Sequence, residues 1–335
     1  MNPLRHKKSL LAIALFIVLA IVTLYGGYTH QSTTPVTETK TTRDAIPYDS
    51  TALHLSVIPS MGSLPLYYAV HSGMADSSAL HIVLHTTYAQ PDVDTAVRRG
   101  RVDIGVLPLT YLAMNATEKK SLVAVMTIPE RWHLLAAKQL RATSTDKLKG
   151  KIVATTRYGA GDFWLNSALQ ASKIGYDNVF HPQINALNVR LHMVASNQID
   201  AAMLPEPWAS IAVQKGCKSL WHTTTNEAQQ WAMATQTNTL NSKVKRKQIS
   251  QVITLYGQAC QALNQPHNRL RDSLLIALFG LTANDIQTLP RWQWGKPIGV
   301  RQGDVKASIS FLQERGVATR SNTRTELYTN SFIPE

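Results

Sequence analysis

The chain has 335 residues, of which 44% are hydrophobic and 16% charged, and its formal net charge is +13. This length allows two domains with separate cores, and the hydrophobic content excludes a chain too polar to fold. The scattered basic residues match no nucleic-acid-binding module, and the two cysteines, Cys217 and Cys260, match no metal or redox motif. We therefore expect no nucleic-acid partner, no cofactor and no resident metal, and two separate thiols are favoured over a disulfide.

A basic stretch precedes a long apolar run at the N-terminus. Arg5–Lys8 is followed by an uncharged run over Ser9–Tyr28. This pattern is typical of an export signal and is close to the length of a bilayer span. Because the run lacks both an A-x-A cleavage site and a lipobox cysteine, residues 1–30 are interpreted as an export signal or an uncleaved membrane anchor. The polar, Thr-rich residues 31–50 predict a flexible linker, with the body in the periplasm or at the extracytoplasmic face of the inner membrane.

Residues 51–135 predict alternating strands and helices. Leu53–Ile58 alternates as a strand does, Pro59–Ser63 reads as a turn, and Leu64–Gly73 predicts a helix with Pro65 in its first turn. The elements expected next are strands at 80–85, 102–106 and 121–128 and a helix at 92–100. Such βαβ alternation predicts a mostly parallel sheet, the first part of lobe one.

Residues 136–232 predict a second lobe, and residues 233–335 a return to lobe one with C-terminal helices. The expected elements of the second lobe are a strand at 151–154, a loop at 155–162, helices at 163–174, 189–195 and 208–215, and a strand at 199–204. The expected later helices are 242–264, 282–289 and 306–316. Two crossings between lobes, near 131–140 and 226–238, predict a hinge and a cleft that closes.

One supersecondary unit occurs twice in the chain. Asp92–Leu112 and Val189–Leu220 both read as helix, turn, Asp, strand, Pro and helix, with Asp103 and Asp200 at the starts of the strands. The order of the predicted elements from about residue 53 to about residue 316 resembles that of the substrate-binding proteins of ABC transporters. The resemblance is in particular to the group that serves aliphatic sulfonates, nitrate and thiamine precursors. The resemblance implies the type II periplasmic-binding-protein fold: two α/β lobes with mostly parallel sheets, flanked by helices, and a ligand cleft between the lobes.

Loops at the carboxyl ends of strands are the expected ligand-binding segments of such sheets. In lobe one the candidate ligand-binding residues are Ser60, Met61, Gly62, Pro108, Leu109 and Thr110. In lobe two the candidates are Tyr158, Gly159, Ala160 and Gly161. Free N–H groups at the start of the following helix favour an anion or a polar group. The alternatives are ordinary turns, with Thr110 and Asp162 acting as helix caps.

Two further residues are singled out as candidates for ligand contact. Glu206 lies between Pro205 and Pro207 at the end of a predicted strand, so its carboxylate is placed to accept a hydrogen bond from an amine or amide of a ligand. The alternative is a helix cap. Trp132, at the first expected crossing, either stacks on a planar ligand or packs at the hinge.

The sequence carries no nucleophile elbow, no phosphate loop and no convincing histidine pair, so no catalytic residue and no metal site is predicted. The resemblance implies a monomeric extracytoplasmic solute-binding protein that captures a small molecule and delivers it to an ABC permease and its ATPase. The ligand is expected to be a thiamine-precursor-like heterocycle, favoured by Glu206, or a sulfonate- or nitrate-like anion. The alternative is a membrane-tethered sensory or enzymatic protein that reuses the fold, for example in thiamine-pyrimidine synthesis.

Overall fold

The computed structural model describes residues 49, 51–114, 121–224, 227–317, 319 and 327–334. The expected export signal and, apart from Asp49, the expected linker lie outside the described residues. Of the helices that fall inside these ranges, none combines the length and the apolar character needed to cross a bilayer.

Strands and helices alternate along most of the described chain. The strands are β1 (Leu53–Val57), β2 (Ile82–Thr86), β3 (Ile104–Pro108), β4 (Leu122–Ile128), β5 (Trp132–Ala136), β6 (Val153–Ala154), β7 (Ala201–Pro205), β8 (Lys218–His222) and β9 (Trp231–Gln236). The helices are α1 (Leu64–His71), α2 (Met74–Ser77), α3 (Gln90–Arg98), α4 (Leu109–Met114), α5 (Ala160–Ala171), α6 (Leu187–Ala195), α7 (Trp208–Gln214), α8 (Thr237–Leu240), α9 (Lys243–Leu263), α10 (Arg269–Phe279), α11 (Ala283–Thr288) and α12 (Gln302–Glu314).

The strands form two separate sheets flanked by helices. The first has the order β2-β1-β3-β9-β4, and the second has the order β6-β7-β5-β8. Pairing is parallel between β1 and β2, between β1 and β3, and between β6 and β7, as the predicted βαβ units require. The strands that arrive from the opposite sheet, β5 and β9, pair antiparallel with their neighbours, so both sheets are mixed.

Both arriving strands enter at the same kind of edge. β9 begins with Trp231 opposite Pro108, the last residue of β3. β5 begins with Trp132 opposite Pro205, the last residue of β7. The chain therefore passes between the sheets at the carboxyl ends of their parallel strands, the edge at which α/β sheets bind ligands.

Two short segments join the sheets, and they are hydrogen-bonded to each other. The first crossing segment, residues 129–131, links β4 to β5, and the second, residues 223–230, links β8 to β9. The backbone N–H of Glu130 donates to Oε1 of Gln229 at 3.0 Å. The backbone N–H of Trp132 donates to Oγ1 of Thr223 at 2.9 Å, and the N–H of Thr223 donates back to the Trp132 carbonyl at 2.9 Å.

The first sheet is closed on one side by the long amphipathic helix α9. Apolar residues of α9 recur at helical spacing and are buried against α1, among them Ile249, Val252, Ile253 and Tyr256. The helix begins at Ser242, whose hydroxyl accepts a hydrogen bond from the Lys245 amide. The thiols of Cys217 and Cys260 are both free and buried.

Candidate functional site

The loop after β1 touches the loop after β7 across the space between the sheets. The N–H of Met61 donates to the carbonyl of Glu206 at 3.0 Å. The indole Nε1–H of Trp208, in the first turn of α7, donates to the Pro59 carbonyl at 2.8 Å. These bonds join backbone segments that are about 145 residues apart, so they record a direct contact between the two lobes.

A second contact joins α4 to the loop that precedes α5. Oγ1 of Thr110 donates to the carbonyl of Tyr158 at 2.5 Å, and the Tyr111 hydroxyl donates to the Arg157 carbonyl at 3.3 Å. Tyr158 has a φ of 56°, in the left-handed region that non-glycine residues seldom adopt. This conformation is held by its N–H, which donates to Oδ2 of Asp162 at 2.8 Å.

A third contact lies farther along the same edge. The N–H of Leu187, at the start of α6, donates to the Tyr88 carbonyl at 3.0 Å, and Ala89 forms an isolated bridge with Ala186. Together, the three contacts link segments that flank the first sheet directly to segments that flank the second.

Gly62 and Gly159 each allow another segment of the protein to pack closely against the backbone. A Cβ on Gly62 would lie 2.0 Å from the Pro129 carbonyl oxygen and 2.7 Å from Oε1 of Glu130. A Cβ on Gly159 would lie 2.1 Å from Oε1 of Gln90, which belongs to lobe one. A larger residue at Gly62 would displace the backbone of the first crossing segment, whereas a larger residue at Gly159 would first displace the Gln90 side chain.

The other candidates in these loops are packed inside the protein. Ser60 is buried, and its hydroxyl bonds that of Ser63 at 2.9 Å, while Ala160 is fully buried in the first turn of α5. A Cβ on Gly161 would lie 3.1 Å from the Trp132 ring, so this glycine gives room for the indole.

Pro108 and Leu109 are buried where β3 meets α4. Pro108 pairs with Trp231 in the sheet, and the N–H of Leu109 donates to the carbonyl of Gln230 at 2.9 Å. Both residues thus connect lobe one to the end of the second crossing segment, and Thr110 beside them reaches lobe two.

The carboxylate of Glu206 is held by one group of the second sheet and one of α7. Its Oε1 lies 3.1 Å from Nε2 of His133, and its Oε2 accepts the Ser210 N–H at 3.2 Å. Burial opposes ionisation, but the hydrogen bonds from His133 and Ser210 outweigh it and hold the pKa of Glu206 below its usual value. The contact with Ser210, in the first turn of α7, is the helix-capping interaction expected as the alternative for this residue.

Glu130, in the first crossing segment, has the opposite electrostatic character. Its side chain is 5% exposed, and its Oε1 accepts the Gly62 N–H at 2.9 Å. Burial raises the pKa of Glu130 well above its usual value, and the nearby carboxylate of Glu206 adds to this. No sequence motif identifies this glutamate as a candidate. The only feature of the sequence that could have indicated it is its position beside the expected crossing.

Two tryptophans meet where the crossing segments enter the sheets. The rings of Trp132 and Trp231 contact edge to face, with centroids 5.4 Å apart, and both residues are buried. The contact packs one crossing against the other, as expected for the hinge-packing role of Trp132.

Arg190 of α6 is a further buried polar residue that the sequence did not indicate. Its guanidinium donates to the carbonyls of Ile184 and Met203 and to Oγ1 of Thr156, all at 2.7–3.0 Å. Burial lowers its pKa to about 10. These bonds fix the loop before α5 against β7.

Several buried polar atoms of lobe one and the crossings have no hydrogen-bond partner among the described residues. They are Oγ1 of Thr87, Oε1 of Gln90, Oε2 of Glu130, Nε2 of Gln230 and Nε1 of Trp231. Thr87 and Gln90 follow β2, Glu130 and Gln230 lie in the crossing segments, and Trp231 is the first residue of β9. An unpaired buried polar atom costs about 1–3 kcal/mol, so each of these atoms would be stabilised by a polar partner.

Comparison with known protein families identifies the family to which the chain belongs. The sequence model of the NMT1-like family matches residues 47–274, about two thirds of the chain. The chain belongs to the NMT1-like family. No curated protein sequence matches this NMT1-like chain significantly.

Solved structures with the same fold as this NMT1-like protein include two sulfonate-binding proteins and a nitrate-binding protein. The alkanesulfonate-binding protein SsuA from Xanthomonas axonopodis pv. citri, bound to MOPS, is 18% identical, with a TM-score of 0.67 over 81% of this chain and 96% of that one. The aliphatic sulphonate-binding SsuA from Escherichia coli is 19% identical, with a TM-score of 0.64 over 81% and 95%. The nitrate-binding protein NrtA from Synechocystis PCC 6803 is 13% identical, with a TM-score of 0.67 over 81% and 83%. These likenesses show the periplasmic-binding-protein fold.

Proposed function

We propose that this protein is an extracytoplasmic solute-binding protein that encloses a small molecule between its two lobes and presents it to an ABC permease and its ATPase. The observation that carries the proposal is the direct contact between the loops at the carboxyl edges of the two sheets, Met61 with Glu206 and Thr110 with Tyr158. The sulfonate- and nitrate-binding proteins that share the fold support it. The activity is capture and release, without a chemical step.

The proposed mechanism is a shift between an open and a closed arrangement. Two short crossing segments leave the lobes free to rotate, and the contacts across the cleft stabilise the closed form. A solute drives closure only when it binds the closed form more tightly than the open one. The unpaired atoms of Gln90, Glu130 and Trp231 would supply that difference, because a solute in the cleft would satisfy them.

The proposed site combines loops from both lobes. Its residues are Ser60, Met61, Gly62, Pro108, Leu109, Thr110, Trp132, Tyr158, Gly159, Ala160, Gly161 and Glu206, with Gln90, Glu130 and Trp231 added from the geometry. The lobes are assigned to residues 51–135 with 233–335, and to residues 136–232, except that strand pairing moves Trp132–Ala136 to the second lobe and Trp231–Gln236 to the first. The N-terminal segment is proposed to export or tether a monomeric body.

A heterocycle resembling a thiamine precursor fits the unpaired groups better than a simple anion does. The set holds an N–H donor on Trp231 and an oxygen acceptor on Gln90. Glu206 adds a buried carboxylate, which disfavours a sulfonate or nitrate nearby. An aminopyrimidine carries both donors and acceptors on one planar ring.

A thermal-shift screen of the purified protein tests the proposal. The panel contains thiamine and its pyrimidine precursors in one arm, and alkanesulfonates, taurine and nitrate in the other. A solute at 100 times its Kd should add about 2.7 kcal/mol to the native state, which raises the Tm. A pyrimidine hit supports the proposed ligand, a sulfonate or nitrate hit retains the function but replaces the ligand, and no stabilisation by either arm contradicts solute capture.

Transport is tested separately in cells. Deleting the gene should abolish uptake of the solute found in the screen, and restoring the gene should recover it. Uptake that is unchanged by the deletion would contradict delivery to a permease.

A further inference from the structure

A cavity of about 430 Å³ lies next to the crossing segments. It is lined by residues of both crossing segments and by the part of lobe one between Arg291 and Arg301. Of the residues proposed to contact the transported solute, only Glu130 reaches it. The cavity is therefore separate from the loops that meet between the lobes, and its volume lies within the range of small-molecule sites.

Three arginines line this cavity and give it an excess of positive charge. Arg301 is paired with Asp304 at 2.9 Å and donates to the Glu227 carbonyl at 2.7 Å. Within the described ranges, Arg131 and Arg291 form no ion pair with a carboxylate. Two guanidinium charges in one concave site favour an anionic occupant.

Arg131 is already oriented. Its guanidinium lies 4.3 Å from the ring centroid of Trp292, and its Nη2 is 3.4 Å from the Arg291 carbonyl. A stacked guanidinium keeps its planar fork of N–H donors in place, and that fork matches the two oxygens of a carboxylate. The orientation lowers the entropy that binding such a group would lose.

Apolar surface accompanies the charge. Pro129, Trp292 and Ile298 line the same cavity, and Ile298 is 41% exposed, a large fraction for an isoleucine. A fully hydrated inorganic ion would leave this surface in contact with water. An anion with a planar apolar body would cover the surface and also meet the arginines.

We infer that this cavity is a second ligand site, which binds a small aromatic carboxylate through Arg131 and Arg291. Arg131 directly precedes β5 of the second sheet, whereas Arg291 and Trp292 belong to lobe one. An occupant that holds both arginines therefore bridges the first crossing segment and the part of lobe one between Arg291 and Arg301. This ligand is distinct from the transported solute, so binding at the second site is tested independently of the proposed function.

Calorimetric titration with benzoate, and with benzamide as its uncharged counterpart, tests the inference on the full-length protein. Benzoate should bind with a Kd of about 1 mM or tighter, and benzamide about tenfold more weakly or not at all. Arg131→Gln and Arg291→Gln should each weaken benzoate binding about tenfold, whereas Arg131→Lys, which keeps the charge, should weaken it less. Arg246→Gln is the matched control, because Arg246 also stacks on an aromatic ring, that of Phe332, but does not line the cavity.

The location of the bound anion is checked with a cleft variant. Thr110→Val removes a contact between the lobes and should leave benzoate binding within about twofold of the parent value. The inference is overturned by any of three results: no benzoate binding, equal binding by all the arginine variants, or loss of binding in Thr110→Val. Circular dichroism and the Tm of each arginine variant confirm that it is folded, and Arg291→Gln serves as the second probe where Arg131→Gln does not fold.

Discussion

Two buried glutamates close to the meeting point of the lobes have opposite protonation preferences. Glu206 receives hydrogen bonds from His133 and Ser210, and its pKa is held below the usual value. Glu130 accepts one backbone N–H from Gly62, its second oxygen has no partner among the described residues, and burial raises its pKa. At neutral pH an ionised Glu206 therefore lies near a carboxyl group that resists ionisation.

Glu130 should make the protein less stable as the pH rises. The raised pKa means that the folded state holds the proton more tightly than the unfolded state, so stability is full below the ordinary glutamate pKa and declines as the pH rises towards the folded value. Glu130→Gln removes this titration and should gain about 2 °C or more in Tm over the parent at pH 8, with little difference at pH 4. The measurement is the Tm from pH 4 to pH 8.

Glu314→Gln is the matched control for this prediction, because Glu314 is exposed at the end of α12. Its pH profile should run parallel to that of the parent protein. A Glu130→Gln profile that also runs parallel to the parent would mean that the carboxyl group does not titrate between the folded and unfolded states in this range.

The sequence indicated loops that meet between the lobes but not the role of each residue in them. Strand-end position identified Met61 and Glu206, which do meet across the lobes. It left two roles open for the Glu206 carboxylate, because a cap and a ligand contact require the same position. The sequence did not indicate that Glu130 and Arg190 are buried, because their burial depends on segments distant in the chain, such as Gly62 and Met203.

Among the elements, the strands that cross between the lobes were hardest to predict. β5 and β9 were expected only as crossing regions, since Trp132–Ala136 and Trp231–Gln236 are short apolar runs without a flanking helix of their own. The long helix α9 was predicted within one residue at each end, because its apolar spacing and its Ser242 cap are local features. Helix α10 was not predicted from its apolar pattern. The feature that marks its start is the N-cap residue Asn268.

Asn268 is the cap of α10, and its loss should destabilise the protein. Its side-chain oxygen accepts the Arg271 N–H at 2.9 Å, and its Nδ2 donates to the Ala262 carbonyl at 2.8 Å. Asn268→Ala removes both bonds and a longer one, at 3.3 Å, from Nδ2 to the Tyr68 hydroxyl, and it should cost about 1–2 kcal/mol in the free energy of unfolding, measured in urea. Asn268→Asp keeps the acceptor only and should recover roughly half of the loss.

Thr282→Ala provides the comparison within the same experiment. Thr282 caps α11 through a capping box whose bonds stay within its own first turn. Its loss should cost about 0.5–1 kcal/mol, less than that of Asn268, since Asn268 also ties α10 back to the end of α9. Equal losses at the two positions would show that the bond to Ala262 adds nothing.

At the scale of the whole molecule, the two sheets are connected in a way that concentrates movement in a few residues. The first crossing segment has three residues, and hydrogen bonds join it to the second. The loops that meet between the lobes, in contrast, are linked by a few hydrogen bonds, such as Met61 to Glu206 and Trp208 to Pro59. Rotation at the crossings would break these contacts while leaving both sheets intact.

Thr110→Val should therefore shift the molecule towards the open form. The substitution keeps the shape of the side chain but removes the hydrogen bond to the Tyr158 carbonyl, one of the contacts that hold the lobes closed. A loss of about 1 kcal/mol from the closed form changes the ratio of closed to open molecules about fivefold. Small-angle X-ray scattering should show a larger radius of gyration than the parent protein gives under the same conditions.

Thr235→Val separates opening from general destabilisation. Thr235 is also fully buried, and its Oγ1 donates to the Asp103 carbonyl at 2.7 Å, but both residues lie within the first sheet and its approach. Both variants should lower the Tm by a similar amount, because each loses one buried hydrogen bond. Only Thr110→Val should expand the molecule, since only its bond spans the two lobes. Equal radii for the two variants would mean that the remaining contacts between the lobes, such as those donated by Met61 and Trp208, are sufficient to keep the lobes together.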